Sequence, residues 1–216
     1  MNILSYTVQS SEKTRKSGAE GETKALLYLM NFRSDSNEIH YFVVDFFNDL
    51  TCMDRYSNKL WDLQSKAAKN NSPKAIGKEL VTLYKNYISD FSFAHYILFV
   101  GGVSTTVCID STKHTFTISN ITADAQTKIV AGLKEEAAAK EYIDNKFITD
   151  QNISDFLSKV LFVIDDKEAT AFCDVNNYVI HHLLLKHQQK DADPAFLMNS
   201  RVHLYLETIY KRISQR

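Results

Sequence analysis

The alternation of apolar and polar positions is clearest in two neighbouring stretches, Glu38–Met53 and Leu60–Lys66. Tyr41, Val43, Phe46 and Phe47 are β-branched or aromatic strand formers, and the polar run Asp54–Lys59 between the stretches has turn chemistry. The pattern predicts a β-hairpin. With its turn symmetric about Tyr56 and Ser57, Asp49 stands opposite Gln64 across the ladder. Lys66 shares the face of Gln64, because residues two apart on a strand point the same way. A carboxylate, a side-chain carbonyl and an ammonium then converge on one patch that could hold a hard cation beside a lysine.

Helical spacing governs most of the rest. Glu22, Ala25, Leu26 and Leu29 recur on one stripe and predict a helix over Gly18–Met30. Glu22 lies on the buried side of that stripe, where a carboxylate is costly unless something positive meets it. Asn71–Ile88 reads as a helix with Ser72 as N-cap and Pro73 as first helical residue. The apolar run His95–Gly101 predicts a strand buried on both faces, and Phe116–Ser119 an edge strand. From Thr122 onward the pattern turns helical: Ala123–Tyr142, Ser154–Val163 capped by Asn152 or Ser154, Asp174–His187 and Pro194–Ile213. The expected organisation is a polar N-terminal arm over residues 1–17, an α/β core over 18–121 and a mainly helical C-terminal part over 122–216 packed on that core. Internal repeats and low-complexity tracts are absent from the sequence.

Composition narrows the classes. With 216 residues, 44% of them hydrophobic, a sizeable core is expected and bulk disorder is not. A net charge of -1 carries no global basic field for coating DNA, although a local basic groove would not show in that total. Cys52, Cys108 and Cys173 are widely spaced, which argues against a zinc or disulfide framework and suits a reducing cytosol. No apolar run is long enough for a membrane span, and the start Met1–Ser5 lacks a secretory pattern, so a cytoplasmic location is expected.

The order helix, strand, strand, strand, helix, strand carries Glu22 on the first helix, Asp49 at a strand end and Gln64-Ser65-Lys66 on the next strand. In that order and placement the residues resemble the PD-(D/E)xK superfamily, the restriction-endonuclease-like fold. Gly18, Gly21, Glu22, Ala25, Tyr28 and Leu29 resemble its first helix. The Gln-x-Lys form resembles the N-terminal nuclease domains of some bacterial antiphage effectors. The likeness spans about residues 18–102. Two positions depart from the pattern: Asn48 stands where a proline or second acid often precedes the aspartate, and Gln64 replaces the commoner glutamate. The second departure removes one negative charge and implies a more loosely held metal.

The resemblance implies a Mg²⁺-dependent (or Mn²⁺-dependent) endonuclease hydrolysing phosphodiester bonds in DNA, in antiphage defence. Asp49 would be the principal ligand, joined by the Gln64 side-chain carbonyl, the Ser65 backbone carbonyl and Glu22, directly or through water. Lys66 would orient the attacking water or stabilise developing charge. Such an activity needs control, so a regulatory partner protein or a homo-oligomer is expected. The alternative is a nuclease-fold module without catalysis that binds a partner protein in a defence complex; RNA cleavage would use the same site chemistry. Glu20 could stand in for Glu22, and Asp45 or Asp54 for Asp49. Asp62 shares the face of Gln64 and Lys66 and is placed to support the site from behind. Gln9, Lys13, Arg15, Lys16, Lys69 and Lys74 are candidate nucleic-acid contacts. Trp61 reads as core packing. His181, His182 and His187 lack the spacing of a two-histidine helical metal site, and Gly101-Gly102-Val103-Ser104 lacks the lysine of a phosphate-binding loop.

Overall fold

The computed structural model describes residues 21–165, apart from Thr23, Leu27, Ser34 and Asp45. Within them the chain is α/β, with a six-stranded mixed sheet flanked by helices. Residues 21, 22 and 24–26 are helical and lead into a π-helical turn, Tyr28–Phe32. Three strands follow: β1 (Tyr41–Val44), β2 (Leu50–Met53) and β3 (Leu60–Lys66). The single strand expected over Glu38–Met53 is therefore folded in half. A bend at residues 46–49 turns it back, and β1 and β2 pair antiparallel, Val44 with Leu50. Period-two alternation cannot reveal such a reversal, because both halves carry strand formers. The hairpin register agrees with the expected one: Leu50 pairs with Leu63 and Thr51 with Asp62, about a turn in which Ser57 takes φ 57°.

Ser72 accepts a hydrogen bond from the Ala75 N–H at 3.3 Å, and Pro73 opens the helix after it, as the sequence predicts. That helix is in two pieces, α1 (Pro73–Glu79) and α2 (Val81–Tyr87), jointed at Leu80. It carries the chain over to β4 (His95–Val100), parallel to β3. The short β5 (Thr115–Phe116) forms the far edge; the edge strand expected over Phe116–Ser119 is displaced and shorter, because Ile118–Asn120 turns as a 3-10 helix. Helices α3 (Ala123–Ala138) and α4 (Asp150–Lys159) follow, and then β6 (Val160–Ile164). The helix expected over Ser154–Val163 thus needs correction at both ends. Thr149 is its N-cap, accepting from the Asn152 N–H at 3.1 Å, and Val160-Leu-Phe-Val-Ile164 is a strand. Four β-branched or aromatic residues in that run favour the pleated surface, and β6 pairs along β4, one strand in from the sheet edge. Residues 123–164 therefore belong to the same sheet-centred unit as the residues before them. The expected helices at 174–187 and 194–213, and the N-terminal arm, lie outside the described residues.

The strand order is β1-β2-β3-β4-β6-β5. One face of the sheet carries the main core, in which Leu80, Leu83 and Tyr84 of α1–α2, Ile129 and Leu133 of α3 and Phe156 of α4 meet Tyr96, Leu98, Val100 and Phe162. Helices α1 and α3 approach closely through glycines: a Cβ on Gly77 would collide with the Ile129 carbonyl oxygen, and one on Gly132 with that of Lys74. The opening helix packs at the other face. Tyr28 meets Phe99 with ring centroids 6.1 Å apart, and Gly21 lies against Ala67. Its Lys24 pairs with Asp165 at 2.7 Å, just past the end of β6.

Candidate active site

Lys66, Val100 and Ile164 stand side by side at the carboxyl ends of the parallel strands β3, β4 and β6. Open α/β sheets commonly bind ligands outside such ends. β2 begins at Leu50, opposite Leu63, so β3 runs on beyond its neighbour and leaves the N–H and C=O of Ser65 without a ladder partner on that side. Asp49 supplies the missing acceptor. Its Oδ2 accepts from the Ser65 N–H at 2.6 Å, the Ser65 hydroxyl at 2.8 Å and the Gln64 Nε2 at 2.8 Å. Asp49 does stand against Gln64, as the register predicts, while its bonds to Ser65 run through the N–H and hydroxyl rather than the carbonyl expected to serve a metal.

The polar face of β3 is matched rung by rung by one face of α1–α2. Lys66 Nζ lies 3.2 Å from Glu79 Oε2. The Thr82 hydroxyl donates to Gln64 Oε1 at 2.9 Å. Asn86 Nδ2 donates to Asp62 Oδ2 at 2.7 Å. Positions 79, 82 and 86 share a helical face as positions 62, 64 and 66 share a strand face. Asp62 is fully buried and also accepts from Asn48 Nδ2, at 2.9 Å on one oxygen and 2.8 Å on the other. Asn48, which departs from the resembled pattern, therefore holds Asp62. Burial pushes the Asp62 carboxyl up to about 7; the Asn86 and Asn48 amides oppose this and the Asp49 charge adds to it.

Glu22 is half-buried among the first described residues of the opening helix, whose Gly21 packs on Ala67, one residue beyond Lys66. Of the fallback residues, Asp54 follows β2 at the opposite end from Asp49, where its Oδ1 accepts from the backbone N–H groups of Asn58 at 2.7 Å and Lys59 at 3.0 Å and closes the β2–β3 turn. Glu20 and Asp45 lie outside the described residues, as do Gln9, Lys13, Arg15, Lys16 and the three C-terminal histidines. Lys74 is tied to Glu135 at 2.6 Å, whereas Lys69 is exposed.

Among the described residues no three His, Cys, Asp or Glu side chains group as metal ligands. A cation here would need the amide and backbone oxygens as well. The structure offers a test of that fit. Gln64 Nε2 sits between two acceptors, 2.8 Å from Asp49 Oδ2 and 3.5 Å from the Ser65 carbonyl oxygen. A partly positive NH₂ group at a focus of oxygens occupies the kind of position a hard cation prefers, and the donor set is all oxygen once the amide is reversed. The donor types present, a carboxylate, an amide carbonyl and a backbone carbonyl, are ones that Mg²⁺ accepts.

A second polar cluster was not anticipated from the sequence. Arg33 donates through Nε and Nη2 to the two oxygens of Asp35, at 2.6 and 2.7 Å. The Trp61 indole N–H reaches Asp35 Oδ2 at 3.0 Å, and His95 Nε2 lies 3.3 Å from the same oxygen. Trp61 is fully buried, as expected for core packing, and its N–H accounts for part of the cluster. Burial alone would push the Asp35 carboxyl up. The bonds from Arg33 and Trp61 and the charges of Arg33 and His95 outweigh it, holding Asp35 far below the usual carboxylate range.

No family model, curated protein or solved structure matches the chain.

Proposed function

We propose that the protein is a Mg²⁺- or Mn²⁺-dependent endonuclease that hydrolyses phosphodiester bonds in DNA. The observation that carries this reading is the seating of the Asp49 carboxylate on Gln64 and Ser65 at the carboxyl end of β3, with Lys66 next along the strand. The strand order supports it too. A helix, three strands paired antiparallel, a helical crossover and a parallel strand follow one another as the PD-(D/E)xK resemblance implies.

In this reading Asp49, the Gln64 carbonyl and the Ser65 carbonyl hold the ion, with Glu22 binding directly or through water. The ion, when bound, lowers the pKa of a water and neutralises charge on the scissile phosphate. Lys66 orients that water or meets the negative charge that develops on the phosphate. Glu79 keeps the Lys66 ammonium at the mouth of the site. A role in antiphage defence, control by a partner protein or a second copy, and a cytoplasmic location belong to the same proposal. No described helix is long and apolar enough to cross a membrane.

One observation favours a second reading, a partner-binding module without catalysis. Each site group already has structural work: three donors converge on Asp49 Oδ2, and Lys66 pairs with Glu79. Plasmid nicking with Mg²⁺ or Mn²⁺, an EDTA control and candidate partners present, separates the two. Metal-dependent cleavage supports the nuclease; its absence under all those conditions, with the protein folded, supports the module.

A further inference from the structure

Gln64 is only 6% exposed and uses both ends of its amide. Nε2 donates to Asp49 Oδ2 at 2.8 Å, and Oε1 accepts from the Thr82 hydroxyl at 2.9 Å. The sense of this chain is dictated from one end. An ionised carboxylate only accepts, so Gln64 turns its NH₂ to Asp49. Its carbonyl then faces Thr82, whose hydroxyl has to donate. Thr82 lies on α2, on the same face as Glu79 and Asn86.

We propose that Thr82 is a positioning residue for Gln64, and that the pair forms a two-state relay whose hydrogen-bond sense is set by cation occupancy at Asp49. The proposal rests on the assignment of Asp49, Gln64 and Ser65 to a cation site. With no cation, the NH₂ group of Gln64 fills the space between Asp49 Oδ2 and the Ser65 carbonyl oxygen. A divalent cation taking that place repels the NH₂ and attracts Oε1, so the amide turns over. Its N–H groups then face Thr82. A threonine hydroxyl accepts as well as it donates, so the same side chain serves both states. The freed hydroxyl proton can bond a carbonyl of its own helix, as helical threonines commonly do.

The relay explains how a glutamine serves where a glutamate would need no inversion. It also makes Thr82 matter unequally to the two states. Replacing Thr82 by valine removes the donor to a carbonyl in the cation-free state, but the acceptor for a buried NH₂ in the cation-bound state. Orphaned buried N–H groups are tolerated less well than under-satisfied carbonyls, so the cation-bound state suffers more.

The test is Mg²⁺ titration of the full chain, followed by calorimetry and by NMR of the Gln64 side-chain amide in ¹⁵N-glutamine-labelled protein; the resonance is identified by its loss in Gln64→Glu. In the wild type the Gln64 amide resonances and the Thr82 methyl should move with Mg²⁺ and saturate together. Thr82→Val should bind Mg²⁺ a few-fold more weakly, the difference between an orphaned N–H in the bound state and an under-satisfied carbonyl in the free one, whereas Thr82→Ser should bind as the wild type does. Mg²⁺ binding that leaves the Gln64 amide resonances unmoved, or equal affinity in Thr82→Val, would overturn the relay while leaving the cation site. Absence of Mg²⁺ binding altogether would overturn both.

Discussion

Asp49 and Ser65 close a ladder that β2 leaves open: one carboxylate oxygen takes both the backbone N–H and the side-chain hydroxyl of Ser65, at 2.6 and 2.8 Å. The contact has structural value apart from any chemistry. Asp49→Ala leaves the N–H of Ser65, a residue only 7% exposed, without its acceptor. A loss of about 1–3 kcal/mol is expected, the cost of an unsatisfied buried group. Asp49→Asn keeps one acceptor oxygen and should lose less. Urea denaturation of the two variants measures the difference; equal losses would mean that the retained oxygen does not take the Ser65 N–H.

Asp62 gives the protein an alkaline cost. Its carboxyl is pushed up to about 7 in the folded protein, against an ordinary value of 3.8. Between those values the folded state binds more protons at this site than the unfolded state does. The Asp62 contribution to stability therefore falls as pH rises from about 4 through 7, then levels off. Asp62→Asn removes that dependence. The stability difference between Asp62→Asn and wild type should shift towards the variant by a few kcal/mol from pH 4 to pH 8. The charges that bear on this group are Asp49, which opposes ionisation, and Lys85, which favours it. Denaturation midpoints across that range provide the check.

Asp35 behaves in the opposite sense. Its carboxyl is held far below the usual range, so it contributes stability above the ordinary carboxylate pKa and loses it as pH falls further. It also neutralises Arg33, whose side chain is 7% exposed. Asp35→Ala removes the partner of a buried guanidinium and should cost on the order of 3–5 kcal/mol. It also frees the Trp61 indole N–H, so Trp61 fluorescence is a local reporter. An unchanged denaturation midpoint would contradict the assignment.

The contact between α1 and α3 tolerates no side chain at its two glycines. Gly77→Ala and Gly132→Ala each drive a Cβ into a backbone carbonyl of the facing helix. The helices must separate or tilt, although alanine is the better helix former. Each variant should lose about 1–3 kcal/mol in thermal or chemical denaturation, as overpacked cores do. A gain in stability would show that the approach is looser than drawn.

Much of the site was readable because it is local. The polar turn Asp54–Lys59 fixes the β2–β3 register, and that register alone puts Asp49 beside Gln64 and Ser65. What could not be read depends on returns of the chain. The bend at residues 46–49 folds one continuous strand pattern into two, and Val160–Ile164 becomes a strand through its pairing with β4. The partners from α1–α2 were hidden for the same reason, although a signal existed. Glu79, Thr82 and Asn86 make a polar stripe next to an apolar one, just as Asp62, Gln64 and Lys66 do on β3. Two polar stripes of matching length on elements that follow each other are candidates for each other. Arg33 and Asp35 had no such pattern, being two residues apart in a turn before β1.

The central claim is that Asp49, Gln64, Ser65 and Lys66 form a metal-dependent phosphodiesterase site. Supercoiled plasmid incubated with the purified protein, Mg²⁺ or Mn²⁺ and candidate partners tests it most directly, with Lys66→Ala alongside. The Lys66–Glu79 pair is about one-third exposed on each side, so Lys66→Ala should keep its stability to within about 1 kcal/mol. The account predicts nicking by the wild type that EDTA abolishes, and a loss of at least ~100-fold in folded Lys66→Ala. Cleavage that persists undiminished in that variant would contradict it.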